Sequence, residues 1–238
     1  MVSKVSRRLI ALVAALILVL VLVGCKRSAA PATSANVERA TSSNLSKTIG
    51  DSTKLLMDFL EKPTAPYHFS YKAQQNINSK YPMDKSAKPE MGPVEIQADG
   101  SPDEINLTSV QGGKKTEHKA KKGDELEWSM AQLGIVGPVG NLGIVLAFGQ
   151  LGARPAGSEA VAGAAADKYD FDTAAVTGSN QAALEMVKSM LTSLQSTKGT
   201  IWIDKASGRL AKFNIDADMA DKAGNAWKEH YEGEFTTK

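Results

Sequence analysis

The chain has 238 residues and a single cysteine, and its 28 Lys and Arg side chains nearly balance 26 Asp and Glu. That balance excludes the concentrated basic surface typical of nucleic-acid-binding domains. One cysteine excludes an internal disulfide framework and a multi-thiolate metal site. With 42% hydrophobic and 23% charged residues, the composition is that of a globular domain.

The start of the chain has the three parts of a secretory signal peptide. Basic residues precede an uncharged apolar run over residues 9–23, which is followed by Gly24 and Cys25. A basic start, an apolar segment and a small residue before the cut are typical of such signals. As a helix the run would be about 22 Å long, shorter than the roughly 30 Å hydrocarbon core of a bilayer.

The sequence Leu22-Val23-Gly24-Cys25 resembles the lipobox of bacterial lipoproteins. The resemblance implies cleavage before Cys25, after its sulfur has received a diacylglycerol group, so that acyl chains such as palmitate attach the protein to a membrane. An uncleaved anchor helix and an ordinary secreted protein are the alternatives, but no A-x-A site follows the apolar run. Lys26, rather than Asp, follows the cysteine. By analogy with lipoprotein sorting, this implies the outer membrane, facing the periplasm, if the cell has one.

The predicted organisation is a signal peptide over residues 1–24, an acylated cysteine with a flexible tether over residues 25–44, and one domain over residues 45–238. The tether is predicted because its residues are small and polar, with hardly any bulky apolar side chains. Removing residues 1–24 takes away three basic residues and no acidic ones, which leaves 25 basic against 26 acidic residues.

The first part of the domain is predicted as a helix followed by strands. Asn44 or Ser46 would cap a helix that ends near Glu61, with one apolar face. That face comprises Leu45, Ile49, Leu56, Phe59 and Leu60. The alternation of Tyr67, Phe69 and Tyr71 with polar residues then predicts a strand with one aromatic face.

Short strands follow over residues 94–98, 105–109 and 114–121, after a predicted loop over residues 79–92. Asp99-Gly100 and residues 111–113 are predicted as the turns between them. The lysine-rich third strand would either touch anionic lipid headgroups or form a charged sheet edge that discourages strand pairing.

Residues 133–153 carry no charge and contain six glycines and a proline. This composition lowers both helix propensity and hydropathy, so a buried or half-buried pair of short helices is favoured over a membrane span. A mobile apolar flap that shields or touches a lipid is the functional alternative.

The second half returns to strands around one helix. Residues 161–172 are predicted as a strand with Tyr169 and Phe171 on one face, and residues 179–195 as an amphipathic helix. The helix stripe comprises Leu184, Val187, Leu191 and Leu194. Strands over residues 199–204 and 210–219, joined by a turn at 205–208, and a last strand over residues 225–235 complete the chain. The predicted class is α+β, an antiparallel meander with helices on one face.

Within residues 155–220, the segments 160–163, 168–172 and 199–213 resemble the lipoprotein-carrier superfamily. That group contains the periplasmic carrier of outer-membrane lipoproteins and the lipidated lipid carriers of actinobacteria. The resemblance implies a strongly curved antiparallel sheet, a half-barrel, with helices packed on its concave face over an apolar cavity for acyl chains.

The cavity predicted from this resemblance would be lined by apolar strand residues. They are Tyr67, Phe69, Tyr71, Ile201, Ile203, Phe213 and Ile215. An acyl chain would gain about 0.8 kcal/mol per buried CH₂ against these side chains. The same residues would equally form a filled core, and the sequence does not distinguish the two.

Catalytic motifs are missing from the sequence. His68, His118 and His230 lie in separate predicted strands, and the carboxylates of Asp167, Asp170 and Asp172 lack the spacing of a calcium loop. We therefore predict a protein without enzymatic activity, metal or cofactor, and without a nucleic-acid partner.

The leading functional hypothesis is a membrane-anchored envelope lipoprotein that binds or shuttles a lipid or other apolar ligand. Its membrane contact would be made through acylated Cys25. The alternative is a structural or interaction lipoprotein with a filled core that binds another envelope protein. An envelope hydrolase with an unrecognised site is the weakest option.

Overall fold

The computed structural model describes residues 34–77, 93–177, 179–190, 193–220 and 226–237. The signal peptide, Cys25 and the predicted loop over residues 79–92 lie outside the described residues. Predictions that concern them stay predictions.

The described elements are three α-helices and nine strands. The helices are α1 (Ser34–Glu61), α2 (Glu125–Gly149) and α3 (Ser179–Met190). The strands are β1 (Tyr67–Ile77), β2 (Val94–Gly100), β3 (Glu104–Gln111), β4 (Lys114–Lys121), β5 (Ala153–Val161), β6 (Ala164–Asp172), β7 (Leu194–Asp204), β8 (Leu210–Ala220) and β9 (Ala226–Thr237). Short 3₁₀ turns at Gln150–Gly152 and Thr173–Ala175 flank β5 and β6.

All nine strands form one antiparallel sheet in the order β4-β3-β2-β1-β9-β8-β7-β6-β5. The chain makes two meanders, β1 to β4 and β5 to β9, which are joined where the first strand pairs with the last. In that junction Tyr67 lies opposite Thr237 and Ile77 opposite Trp227. The lysine-rich β4 is one edge of the sheet, and α2 connects it to β5 at the other edge.

One face of the sheet packs against the helices, and we call it the core face. Side chains along β2 and β8 alternate between buried and exposed, as expected for a sheet with one face covered. Helix α2 packs on β3, β4 and β7 and also on α1, which contacts β8. The predicted α+β class with an antiparallel sheet and helices is therefore confirmed. The half-barrel curvature and the concave position of the helices stay predictions.

Helix α1 ends at Glu61, as predicted, and its predicted apolar stripe is buried. Its start differs from the prediction, because the helix begins at Ser34 rather than after a cap at Asn44 or Ser46. Part of the predicted tether is thus helical. The apolar periodicity begins only at Leu45, so the sequence pattern marked the packed part of the helix and missed the polar turns before it.

Helix α2 corrects the prediction of two short helices within residues 133–153. A single helix runs from Glu125 to Gly149 in spite of Pro138 inside it. Asp124 caps its start by accepting a hydrogen bond from the Glu127 N–H at 3.3 Å. Tertiary packing stabilises the helix after its first turn, because one face of it is buried along its length. The large apolar residues of that face are Ile135, Val139, Leu142, Val145, Leu146 and Phe148.

The predicted strand over residues 161–172 is in fact the end of one strand and the whole of the next. Ala162 and Gly163 form a tight turn between β5 and β6, with φ angles of 47° and 85°. Positive φ at both central residues is the geometry of a type I′ hairpin. Alanine rarely adopts it, which is why the sequence pattern missed the turn. Phe171 is buried on the core face as predicted, with Tyr169 half-buried beside it.

Two further boundaries differ from the predictions. The helix predicted to reach residue 195 ends at Met190, so that Leu194 opens β7. Asp99-Gly100 belongs to β2, and the turn falls after it. A register shift between β7 and β8 turns Ala211 away from the core face, where it joins a small outer cluster around Trp202.

Candidate functional site

The seven predicted cavity residues all lie in the main core of the protein, on three strands of the core face. Those of β1 are separated from those of β7 and β8 by β9. Their exposed fractions lie between 0% and 6%, so each packs against protein. In the described arrangement the side chains of α1 and α2 share the same core cluster. A ligand at these residues would have to separate the helices from the sheet.

Gly233 of β9 allows the aromatic residues of β1 and β8 to meet. It pairs with Tyr71 on one side and Phe213 on the other, and their ring centroids lie 6.1 Å apart across it. A Cβ atom at this position would lie 2.4 Å from the Phe213 ring and 2.4 Å from the Ser70 carbonyl oxygen. Only glycine fits without displacement of its neighbours.

The aromatic side chains of β1 and β9 form a continuous row at the junction of the two meanders, which we call the aromatic seam. Its members are Tyr67, Phe69, Tyr71, Tyr231 and Phe235. Phe59 of α1 closes one end with edge-to-face contacts to Tyr67 and Phe235, at centroid distances of 5.7 and 5.3 Å.

Arg209 lies at the Phe59 end of the seam. Its guanidinium carbon is 4.3 Å from the Phe59 ring centroid, a cation–π contact. Burial lowers the pKa of Arg209, and the charge of Asp204 opposes the change. Its Nε and the Tyr67 hydroxyl are both buried without a hydrogen-bond partner among the described residues. Burial raises the pKa of Tyr67 to about 12, with a further contribution from Asp99.

Glu229 provides a carboxylate at the other end of the seam. It lies six residues before Phe235 on β9, a separation of about 20 Å along the strand. The carboxylate accepts a hydrogen bond from Trp227 Nε1 at 2.8 Å and another from the Tyr231 hydroxyl. Burial, followed by this hydrogen bond and charge, raises the pKa of Tyr231. Burial and the Glu229 charge also raise the pKa of Tyr71.

Helix α2, which covers part of the core face, is intrinsically unstable as a helix. Four glycines lie in its interior, each less favourable than alanine by about 1 kcal/mol, and Pro138 adds roughly 3 kcal/mol. Gly134 packs closely on the sheet, since a Cβ there would lie 2.6 Å from a terminal methyl of Leu107 on β3, which would have to shift. Gly137 and Gly140 have open space around them. The cover therefore depends on its contacts with the sheet and α1.

The predicted polar residues outside the core form surface pairs. His68 Nδ1 lies 3.1 Å from Asp99, and His230 Nδ1 lies 2.8 Å from Asp216. Asp167 accepts a hydrogen bond from Ser158 and contacts Lys205 at 3.0 Å, and both lower its pKa. Among the described residues no group of three or more His, Cys, Asp or Glu side chains is placed to hold a metal ion.

Sequence reasoning missed Glu229, Gly233 and Arg209 as parts of this region. The one-sided pattern of Trp227, Tyr231 and Phe235 is present in the sequence. That β9 inserts between β1 and β8 is a long-range pairing, which strand periodicity does not encode. Without knowledge of this strand order, the sequence does not indicate that Tyr71 and Phe213 are in contact.

Comparisons with known proteins show no family membership. No family model matches the chain, and no curated protein matches it in sequence. Among solved structures, LprF from Mycobacterium bovis is 14% identical, with 81% of this chain and 91% of that chain covered and a TM-score of 0.35.

Proposed function

We propose that this chain is an acyl-anchored protein of the cell envelope that binds a lipid or another apolar ligand between its sheet and helices. The observation that carries the proposal is α2, a glycine-rich and proline-containing helix that covers an aromatic and aliphatic sheet face. Because α2 has little intrinsic helix stability, little is lost when it moves away from the sheet. Every CH₂ of a ligand buried beneath it would gain about 0.8 kcal/mol.

The anchor and the location in this proposal come from the start of the sequence. Cys25 would carry the acyl chains, in the outer membrane facing the periplasm if the cell is diderm. The curvature of the sheet, with its helices on the concave side, belongs to the same proposal. Replacement of Cys25 by Ser should abolish labelling with a fatty-acid probe, and persistent labelling would contradict the anchor.

A second candidate function is favoured by the low exposure of the seven predicted cavity residues. Side chains that are 0–6% exposed form a filled core, as expected for a lipoprotein that binds an envelope protein through its surface. This candidate predicts no bound lipid, together with a specific partner that is crosslinked in cells and lost on mutation of an exposed sheet face.

The test of ligand binding uses the three tryptophans, which lie in different environments. Trp227 is at the Glu229 end of the seam, whereas Trp202 packs in the outer cluster on the opposite face. Residues 26–238 contain every described element and have no cysteine. Single-tryptophan variants of this chain are titrated with doxyl-labelled phospholipid, after native extracts are searched for copurified lipid by mass spectrometry.

Quenching of Trp227 at least threefold stronger than that of Trp202 would support binding at the core face. Equal quenching, or none, in a chain that also copurifies without lipid would reject the carrier. The Gly137→Ala/Gly140→Ala variant tests the cover: a stiffer α2 should slow ligand uptake with little change in the amount bound at equilibrium.

A further inference from the structure

The side of α2 that points away from the sheet is apolar and uncovered in the described structure. Leu126, Met130 and Leu133 are 71%, 49% and 45% exposed, although large apolar side chains are normally buried. Their spacing places them on one helical face, opposite the buried Ile135 and Leu142. We call these three residues the outer stripe.

The outer stripe continues into a surface without charge. Residues 128–153 contain no charged side chain. Gly137 and Asn141 extend the exposed face by two more turns. Ordinary surface helices carry charged and polar residues on the solvent side, so α2 departs from the amphipathic pattern. Its length and composition would suffice to cross a membrane. The opposite side packs on β3, β4 and β7, so lipid cannot surround it.

The short segment between Cys25 and α1 indicates which partner this face contacts. Helix α1 runs antiparallel beside α2: Gln132 Nε2 donates to the Glu61 carbonyl at 2.5 Å, and Gly50 lies near Gln150 at the other end. Cys25, the predicted acyl site, precedes the first residue of α1 by only nine residues. That segment spans at most about 30 Å, whereas Ser34 lies about 40 Å along α1 from the Glu61 contact beside the outer stripe. A bilayer that holds the acyl chains therefore contacts the stripe when its surface runs parallel to α1 and α2.

We propose that the outer stripe of α2 rests on the surface of a phospholipid bilayer, as a second contact besides the acyl chains. Its membrane setting rests on the proposed function. Apolar side chains on one side of a helix insert at the boundary between headgroups and acyl chains. Lys121 and Lys122 precede α2 by four and three residues, and the exposed Glu125 and Glu127 lie in its first turn. The charges at headgroup level are thus mixed, and the apolar stripe provides the contact. A second copy of the chain is a weaker occupant, since stable interfaces use about 20–30 residues a side.

The experiment compares two exposed methionines of the acyl-free chain 26–238. Met130 belongs to the outer stripe, and Met186 on α3 is similarly exposed at 40%. Each is replaced by Cys in separate chains, labelled with a polarity-sensitive fluorophore, and mixed with vesicles of phosphatidylcholine and phosphatidylglycerol. A blue shift and at least twofold brightening at 130, with no change at 186, is the expected result. Equal responses at both positions, or none, would overturn the proposal.

Vesicle cosedimentation provides the second measurement. Met130→Glu/Leu133→Glu should weaken vesicle binding at least tenfold, whereas Met186→Glu should leave it unchanged. Concentration-dependent dimerisation that is lost in the Met130→Glu/Leu133→Glu chain, without vesicle binding by the parent, would assign the face to a second copy and overturn the proposal. Trp227 quenching by doxyl lipid is recorded in the same chains. In the parent chain, quenching of Trp227 without vesicle binding rejects only the docking face, and vesicle binding without quenching of Trp227 rejects only the carrier.

Discussion

Tyr67 and Tyr231 lie in the same aromatic seam but differ in how their hydroxyl groups are satisfied. The Tyr67 hydroxyl is buried and has no hydrogen-bond partner among the described residues. The Tyr231 hydroxyl donates to the Glu229 carboxylate. A buried hydroxyl without a partner loses its hydration and gains nothing in return, whereas a hydrogen bond to a carboxylate is among the stronger ones in proteins.

Replacement of each tyrosine by phenylalanine should therefore have opposite effects at neutral pH. Tyr67→Phe removes an unsatisfied group and should leave the free energy of unfolding unchanged or raise it by up to about 1 kcal/mol. Tyr231→Phe leaves Glu229 with one donor fewer and should lower it by roughly 1–3 kcal/mol. Urea denaturation of both variants measures the difference. Equal losses in the two would show that shape, and not hydrogen bonding, determines stability in the seam.

Among the elements, helix α2 contains glycines of two kinds: some have no room for a side chain, and others have open space around them. A Cβ at Gly149 would lie 2.7 Å from the buried Phe171 ring, whereas a Cβ at Gly137 would meet nothing within 4 Å. Gly137→Ala should raise the free energy of unfolding by about 0.5–1 kcal/mol, because alanine is the better helix former. Gly149→Ala should lower it by roughly 1–3 kcal/mol through overpacking.

Urea midpoints of the two alanine variants test this contrast on one helix with one substitution type. Stabilisation by both would mean that the Phe171 ring moves aside readily. Destabilisation by both would mean that α2 needs its glycines for bending and not for packing.

The elements also show which parts of the fold follow from local pattern. The period-two alternation of β1 and the stripe of α1 were predicted, because a half-buried strand or helix carries apolar residues at a regular spacing. The single helix α2 was not, since its glycines and Pro138 oppose helix formation and only contacts with distant strands maintain it. The type I′ turn at Ala162-Gly163 was missed for a similar reason, because Ala162 adopts its φ of 47° under tertiary constraint.

For the candidate site, the sequence predicted the aromatic face of β1 and the apolar face of β7 and β8. It did not predict that β9 lies between them with Gly233 at the crossing point. That arrangement depends on the pairing of the first strand with the last, across 150 to 170 residues of chain. The position of Glu229 in the aromatic seam likewise follows from the strand order and not from the local sequence.

At the scale of the whole molecule, the two meanders are joined along the aromatic seam, and three of its members are tyrosines with raised pKa values. Burial raises the pKa of Tyr67 to about 12, compared with about 10 in an unfolded chain. The pKa values of Tyr71 and Tyr231 change in the same direction. In each case the unfolded chain loses its proton first as the pH rises, so ionisation favours unfolding.

We therefore expect the fold to lose stability as the pH rises above 10. For Tyr67 the stabilisation is complete below pH 10 and is lost between pH 10 and about 12, a loss of roughly 3 kcal/mol for two pKa units. Lysines also lose their charge in this range, so the informative quantity is the difference between the parent chain and Tyr67→Phe. That difference in unfolding free energy should grow in favour of the variant from pH 9 to pH 11.5.

Tyr169→Phe is the control, because this half-buried tyrosine lies on β6 outside the seam. Its effect on the pH dependence should be smaller than that of Tyr67→Phe. Urea unfolding at half-unit pH steps, followed by far-ultraviolet circular dichroism, gives the slopes for all three chains. Parallel slopes for the parent and Tyr67→Phe would show that Tyr67 ionises without unfolding the protein. The seam would then admit water at high pH, and the junction between the meanders would be looser than its buried side chains indicate.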